Sequence, residues 1–398
     1  MRILVLGGDG YLGWPTAMAF AAAGHQVTAV DNYLRRSLAM QTSSQALIPT
    51  PDLPARAALF EALTGKRIDV EIADCSDYRL LSRIVAKTAP ETVIHYAEQP
   101  SAPYSMRGFD EARLTLNNNL GTTFALIWGL IEHAPDCHLI KLGTMGEYGT
   151  PNIDIEEGWL DVTHNGRTDR FLFPRQAGSL YHTTKILDTD LLWFYVRTHR
   201  LRVTDLMQGP VYGLATPESD LDPGLVPNFH YDDIFGTVLN RFLVQAVIGL
   251  PLTVYGKGGQ TRGYLNLLDS LQCVAVAART PAKAGELRVL NQFVELLSVN
   301  DLAARVAAAG RQLGLEVEIQ QLDNPRKEAE NHYYNAAHKG LLDLGLQPHL
   351  LTEEVLVEML KRVRSHAGLI DRSRILPRVR WRQTESHSIA STKFNISG

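Results

Sequence analysis

The sequence predicts an α/β fold: a doubly wound parallel sheet with a smaller α/β lobe set over it. Three observations predict it. Short apolar runs alternate with helical stretches through the first half, the pattern of a parallel sheet with helices on both faces. The first run breaks into Gly7-Gly8-Asp9-Gly10-Tyr11-Leu12-Gly13 and then into an alanine-rich helix, which makes the sheet Rossmann-type. The 398 residues exceed the ~250–300 that one core usually holds, so a second lobe is expected.

The elements follow in order. Strand one is Arg2–Leu6, and the helix after it runs from Tyr11 to about Ala23. Gly7 permits a tight turn, Gly10 lets backbone approach a pyrophosphate, and Gly13 lets helix pack on strand. The helix N-terminus offers N–H groups and a positive dipole end to the anion. Strand two, Gln26–Val30, ends in Asp31, where an acid would hydrogen-bond adenosine ribose hydroxyls. Residues 37 to 66, rich in Ser, Thr, Pro and Ala, read as a long insertion, a mobile flap over the cofactor. Further strands are expected at about Asp69–Ala73, Thr92–Tyr96, His138–Leu142 and Arg202–Leu206, with helices near 77–88, 110–134 and 178–199. Asp31, Asp74, Ala97-Glu98 and Gly143-Thr144 then end their strands on one side, where such sheets bind ligands. Prolines 210, 217, 223 and 227 mark loops crossing to the second lobe, and a helix near Ile234–Gly249 is read as returning to the first. The expected division is 1–208 with 234–275 for the dinucleotide domain, 209–233 with 276–383 for the sugar-nucleotide lobe, and 384–398 as a disordered tail.

Composition excludes several classes. A net charge of −4 without like-sign blocks gives no basic field for nucleic acid or anionic membrane. No apolar run approaches ~18 residues, so no membrane span is expected. Cys75, Cys137 and Cys273 are far apart, with no C-x-x-C. That fits a reducing compartment without a disulfide frame or metal site. The N-terminus mimics a signal peptide, but cleavage there would remove the glycine turn, so a cytoplasmic location is expected.

Tyr181 and Lys185 carry the chemistry. They are four apart in a helical stretch and share a face. Of fourteen tyrosines, only Tyr181 has a lysine at that offset. A phenol normally titrates near pH ~10. The ammonium and a bound nicotinamide cation are expected to pull it down, so that it takes a sugar hydroxyl proton as hydride leaves. Thr144 would share a hydrogen bond with that hydroxyl. Glu147, three residues on, reads equally as an acid for loss of a hydroxyl or as a carboxylate bonded to loop backbone. His182 lies about 100° round the helix from Tyr181, which on geometry alone favours a packed, satisfied histidine over one that borders the substrate. Arg35 and Arg36 could hold a 2′-phosphate, but Asp31 would repel it, so NAD is expected rather than NADP. Arg262 and Arg326 are candidates for a second diphosphate, because the planar guanidinium holds phosphate oxygens bidentately.

Together the glycine turn, Thr144 and the Tyr181/Lys185 pair resemble the extended short-chain dehydrogenase/reductase superfamily. Longer strings are similar to its UDP-sulfoquinovose synthase branch, from residue 1 to about Gln383. They include Asp31-Asn32 with Arg35-Arg36, Ser101-Ala102-Pro103-Tyr104-Ser105-Met106, Lys141 to Glu157, His164-Asn165-Gly166-Arg167-Thr168-Asp169, Leu252–Leu265, Asn291-Gln292-Phe293 and Asn324–Asn335. The resemblance implies a reaction: NAD oxidises UDP-glucose at C4, water leaves across C5–C6, sulfite adds at C6, and the hydride returns. It implies catalytic roles for Thr144, Tyr181, Lys185, Glu147 and His182. The expected cofactor set is Gly7, Asp9, Gly10, Tyr11, Leu12, Gly13, Asp31, Asn32, Arg35, Arg36, Asp74, Cys75, Tyr96, Ala97, Asn118, Tyr181, Lys185 and Gln208. The expected substrate set is Gln99, Tyr104, Thr144, Met145, Gly146, Gln208, Thr253, Tyr255, Gln260, Arg262 and Arg326. A homodimer through the helices near 110–134 and 178–199 is implied too. The chain departs from the branch at Gln99-Pro100-Ser101, at Leu225 to Asp232 and at Asn266, with fewer cations near the sulfite step. Its rivals are an NAD-dependent sugar-nucleotide 4-epimerase or dehydratase that ignores sulfite, and a non-catalytic NAD-binding regulator.

Overall fold

The computed structural model describes residues 1–324 and 333–375. Arg326 and the expected tail at 384–398 lie outside the described residues. In chain order the first lobe begins β1 (Arg2–Leu6), α1 (Gly13–Ala22), β2 (Gln26–Asp31), α2 (Leu34–Gln41), α3 (Leu53–Thr64), β3 (Ile68–Ile72), α4 (Tyr78–Thr88), β4 (Thr92–His95), α5 (Ala102–Ser105), α6 (Phe109–His133) and β5 (His138–Thr144). A hairpin of β6 (Trp159–His164) and β7 (Arg167–Leu172) precedes α7 (Leu180–His199), β8 (Arg202–Gln208) and β9 (Val211–Tyr212). Then come α8 (Val238–Val247), β10 (Leu252–Tyr255), β11 (Thr261–Asn266), α9 (Leu267–Arg279) and β12 (Glu286–Gln292). The described chain closes with β13 (Glu295–Ser298), α10 (Val299–Gln312), β14 (Ile319–Leu322), α11 (Lys339–Asp343) and α12 (Glu353–Ser365).

Seven parallel strands form the main sheet in the order β12-β8-β5-β4-β1-β2-β3. Strand order reverses between β1 and β4, and ligands of such sheets bind at the carboxyl ends flanking that reversal. Burial on both faces explains the apolar runs: Ile3, Leu4, Val5 and Leu6 are all buried.

Two expectations about the second half are corrected. β12 pairs in parallel with β8 from Glu286↔Arg202 to Gln292↔Gln208. The segment 276–383 therefore contributes a strand to the first lobe, where its leucines and valine complete the core. Conversely, α8 does not return to the first lobe. Its Leu239, Phe242 and Leu243 join Val254, Leu302, Val306, Leu356 and Leu360 in the second lobe's core.

The segment expected as a flap is packed instead. Asp52 caps α3 by accepting the Ala55 N–H at 2.9 Å, worth about 1 kcal/mol. The α3 side chains Leu53, Arg56 and Phe60 are buried, and the Phe60 ring meets Trp14 of α1 edge-on at 6.4 Å.

Candidate active site

A cleft opens at the reversal point, lined at one end by Gly7, Gly10, Tyr11, Leu12, Gly13, Asp31 and Asn32. Gly7 has φ +84°, and a Cβ there would lie 2.7 Å from the Tyr96 carbonyl carbon of the strand across the reversal. A Cβ on Gly13 would overlap the Gly7 carbonyl oxygen, whereas Gly10 has only that oxygen nearby, at 3.2 Å. Two glycines thus close the turn and the third leaves backbone open to a ligand. Asp31 ends β2, where its carboxylate accepts the N–H groups of Asp9 at 2.9 Å and Tyr33 at 2.7 Å. Burial raises its pKa to about 6, with the two N–H groups opposing the rise and the Asp9 charge adding to it. The residues fit an adenosine ribose and a pyrophosphate in that order along the cleft.

The other expected cofactor residues divide. Arg35, Asp74, Cys75, Tyr96, Ala97, Asn118 and Gln208 line the cleft. The Arg35 guanidinium stacks 3.7 Å from the Phe235 ring centroid. Asp9 and Arg36 face each other instead: Nε and Nη2 of Arg36 donate to the two Asp9 oxygens at 2.5 and 2.7 Å, and buried Arg56 approaches Oδ1 at 3.3 Å. Neither lines the cleft. Their pairing ties α2 and α3 to the glycine turn.

The opposite end holds Tyr181 and Lys185, with Glu98, His95 and Gly143. Ser179 caps α7 and Ser105 accepts the Tyr181 N–H at 3.1 Å, which fixes the entry of the helix. Lys185 Nζ donates to Glu98 Oε1 at 2.5 Å. Burial opposes the ammonium charge, but Glu98 and Asp188 outweigh it and hold Lys185 above its ordinary pKa. The Tyr181 phenol is also pushed up, first by burial and then by the carboxylates of Glu98 and Glu147. The expectation of a phenol lowered by Lys185 is therefore not met, because burial raises the phenol and Glu98 neutralises the cation.

Thr144 ends β5, paired with Gln208 of β8. Its hydroxyl accepts the Gly146 N–H at 3.2 Å, and its own N–H donates to Glu147 Oε1 at 3.2 Å. Glu147 is fully buried between Lys141 at 3.5 Å and Arg175 at 3.4 Å. Burial raises its pKa against both cations. His182 shares a hydrogen bond of 3.0 Å between Nδ1 and Ser179 Oγ. A side chain on Gly146 would collide with its Nε2 edge, so glycine keeps that nitrogen beside the Thr144-Met145-Gly146 loop.

Sequence reasoning missed the charges beneath the loop. Lys141 of β5 is wholly buried and donates to Thr189 Oγ1 at 2.7 Å, the Lys185 carbonyl at 3.1 Å and Asp205 Oδ2 at 3.2 Å. The available signal was a lysine and an aspartate inside strands buried on both faces, where a charge needs a partner.

Of the expected substrate residues, Gln99 is buried and donates to Thr115 at 2.9 Å, while Tyr104 stacks with Phe235 at 6.4 Å. Met145 is buried in the first lobe's core. Thr253, Tyr255 and Gln260 belong to the second lobe. There Gln245 donates to the Thr253 hydroxyl at 2.9 Å, Arg241 lies 4.1 Å over the Tyr255 ring, and Gln260 donates to the Tyr255 carbonyl at 3.2 Å. Arg262, on β11, donates to the Thr261 carbonyl at 2.8 Å. Asn266, at one departure, caps α9 by accepting the Leu268 N–H at 3.0 Å.

Residues 3–291 match the model of the NAD dependent epimerase/dehydratase family. The UDP-sulfoquinovose synthase of Spinacia oleracea, named as chloroplastic, is 48% identical over 96% of this chain and 79% of its own length. That of Sulfolobus acidocaldarius is 44% identical over 97% of this chain and 98% of its own. Among solved structures, the UDP-glucose 4-epimerase of Thermotoga maritima, crystallised with UDP-glucose, superposes with a TM-score of 0.68 at 20% identity, covering 92% of this chain and 99% of the other.

Proposed function

The chain belongs to the NAD dependent epimerase/dehydratase family, and we propose that it is an enzyme converting UDP-glucose and sulfite to UDP-sulfoquinovose with bound NAD. The observation that carries the reading is that Tyr181 and Lys185 line the same cleft as the glycine turn and Asp31, with Thr144 ending β5 one residue past the cleft-lining Gly143. Two relatives of that name at 48% and 44% identity support the substrate and the sulfite step.

NAD, when bound, accepts a hydride from the sugar and later returns it. Gly10, Asp31 and the start of α1 would hold its pyrophosphate and adenosine ribose. Lys185 would hold the nicotinamide ribose; burial first, and then the carboxylates of Glu98 and Glu147, keep the Tyr181 phenol neutral, and a bound dinucleotide cation would offset those charges. Tyr181 Oη then takes the C4 hydroxyl proton, with Thr144 Oγ1 in hydrogen-bond reach of the same oxygen. His182 and Glu147 stand at the Thr144-Met145-Gly146 loop to serve proton movements at C5 and C6. Nδ1 of His182 is occupied by Ser179, so Nε2 is its working nitrogen. Burial pushes the carboxyls of Asp188 and Glu147 up. Arg262 and Arg326 take the second diphosphate. A homodimer through α6 and α7, and a cytoplasmic setting, belong to the same reading. No helix among the described residues is long and apolar enough to cross a membrane.

The test is incubation with UDP-glucose, with and without sulfite, read by product mass. Gain of the sulfonate only with sulfite is expected. An isomer of unchanged mass in both arms would identify an epimerase and overturn the sulfite assignment. Tyr181→Phe should lose ~10²–10⁴-fold in turnover while retaining NAD.

A further inference from the structure

Glu98 follows β4, on the other side of the cleft floor from α7. Its side chain is 5% exposed, and Oε1 sits 2.5 Å from Lys185 Nζ. The second oxygen, Oε2, is buried and has no hydrogen-bond partner. His95 lies 3.6 Å from Oε1, and its Nε2 is shared with Thr123 at 3.2 Å. Burial lowers the His95 pKa to about 4, so it adds no charge near neutrality. Asp188, one turn along α7, stands 3.9 Å from the ammonium. Burial first, and then the neighbouring Glu98 charge, push its pKa well up. From β5 and its loop, Lys141 and Glu147 also face the phenol, with Arg175 behind Glu147. The His182 ring flanks it at 5.2 Å. Of the carboxylates around the pair, Glu98 alone lies within hydrogen-bond distance of Lys185 Nζ, at 2.5 Å against 3.9 Å for Asp188.

We infer that Glu98 is a positioning residue: it anchors Lys185 Nζ at the cleft floor, and its negative charge governs when the Tyr181 phenol becomes a phenolate. This rests on the reading that Tyr181 is the proton carrier. The physical content is a balance. Lys185 alone would favour the phenolate, and the adjacent carboxylate cancels that field until a dinucleotide cation arrives. The phenol is thereby kept neutral before the cofactor is in place. The unpartnered Oε2 is an acceptor available to a hydroxyl entering the cleft.

The experiment is a tyrosinate absorbance titration of NAD-saturated protein, with Tyr181 isolated by difference from Tyr181→Phe. Glu98→Gln should ionise the phenol about one pH unit lower than wild type, a roughly tenfold gain of phenolate at a given pH. Glu98→Asp, which keeps the charge, should stay within about 0.3 unit of wild type. A Gln variant that does not move, or an Asp variant that moves as far as Gln, would overturn the inference. The wild-type protein gives a measurement that needs no Glu98 variant. The ¹⁵Nζ resonance of Lys185, identified by its loss in Lys185→Arg, should titrate above the ordinary lysine value of ~10.4. A midpoint below about 10 would show that the pair does not hold. None of these readouts needs turnover. If UDP-glucose gives no product at all, the sugar-nucleotide reading fails and the titrations still decide the role of Glu98.

Discussion

The two ends of the cleft are built from different materials. The dinucleotide end is made of backbone: a turn whose glycines at 7 and 13 leave no room for a side chain, and one carboxylate bonded to two N–H groups. The proton-handling end is made of side chains drawn from β4, β5, α7 and β8, joined through buried ion pairs of Lys141, Glu147, Asp205, Glu98 and Lys185. A backbone site is local in the chain and needs few residues. A side-chain site is assembled across more than a hundred residues and depends on every partner keeping its charge.

Four measurements would break or sharpen that contrast. The largest effect is expected at Lys141. Lys141→Met leaves Asp205 without its cation and Glu147 with Arg175 alone, and removing one partner of a buried pair costs ~3–5 kcal/mol. Denaturant unfolding should show this, and a loss under about 1 kcal/mol would mean that the network is not a unit. Gly13→Ala comes next. Its methyl must displace the Gly7 carbonyl, so we expect ~1–3 kcal/mol and a purified protein depleted of NAD. Unchanged NAD content would deny the tight turn its role.

The third concerns pH. Asp31 has a folded-state pKa of about 6 against an ordinary value of 3.8. Because the folded value is the higher, the folded state binds the extra proton between these limits. Asp31 therefore costs stability progressively as pH rises from about 4 to about 6. The carboxylate is also the ribose acceptor, so NAD affinity should be full above about 6 and decline as pH falls through it. Calorimetric binding at several pH values checks this, with Asp31→Asn expected to flatten the profile. The smallest effect is at Ser179. Ser179→Ala removes the α7 cap and the His182 partner, costing about 1 kcal/mol in Tm-derived stability. It should also shift the pH dependence of turnover, which loss of the cap alone would not do.

The contrast also explains what could be read before the fold was known. Gly7, Gly10, Gly13 and Asp31 were legible because their spacing is their function. Tyr181 and Lys185 were legible because four residues make one helical turn. Lys141 and Asp205 were not, since each is an isolated charge whose partners lie on other elements, and of Glu98 only its place past a strand end was legible. The signal of Lys141 and Asp205 was negative: a charge inside an apolar strand. The β6–β7 hairpin was missed although Asn165-Gly166 stands between its strands, with φ of 49° and 74°, the backbone that a two-residue hairpin turn requires. β12 was missed because an edge strand carrying Glu286, Arg288 and Asn291 does not read as an apolar run. The functional branch came from long strings, not from physics, and the fold alone is shared with the epimerases.

The seventh strand carries a consequence for how the molecule is made. During synthesis, residues 234–275 leave the ribosome before β12 does, so the first lobe's sheet waits for its last member with β8 bare along one side. Unpaired strands of that kind seek partners. A fragment ended at 208 or 275 would inherit the same open flank permanently, and should precipitate where the whole chain does not. The two lobes are interleaved along the polypeptide and cannot be separated by any single cut.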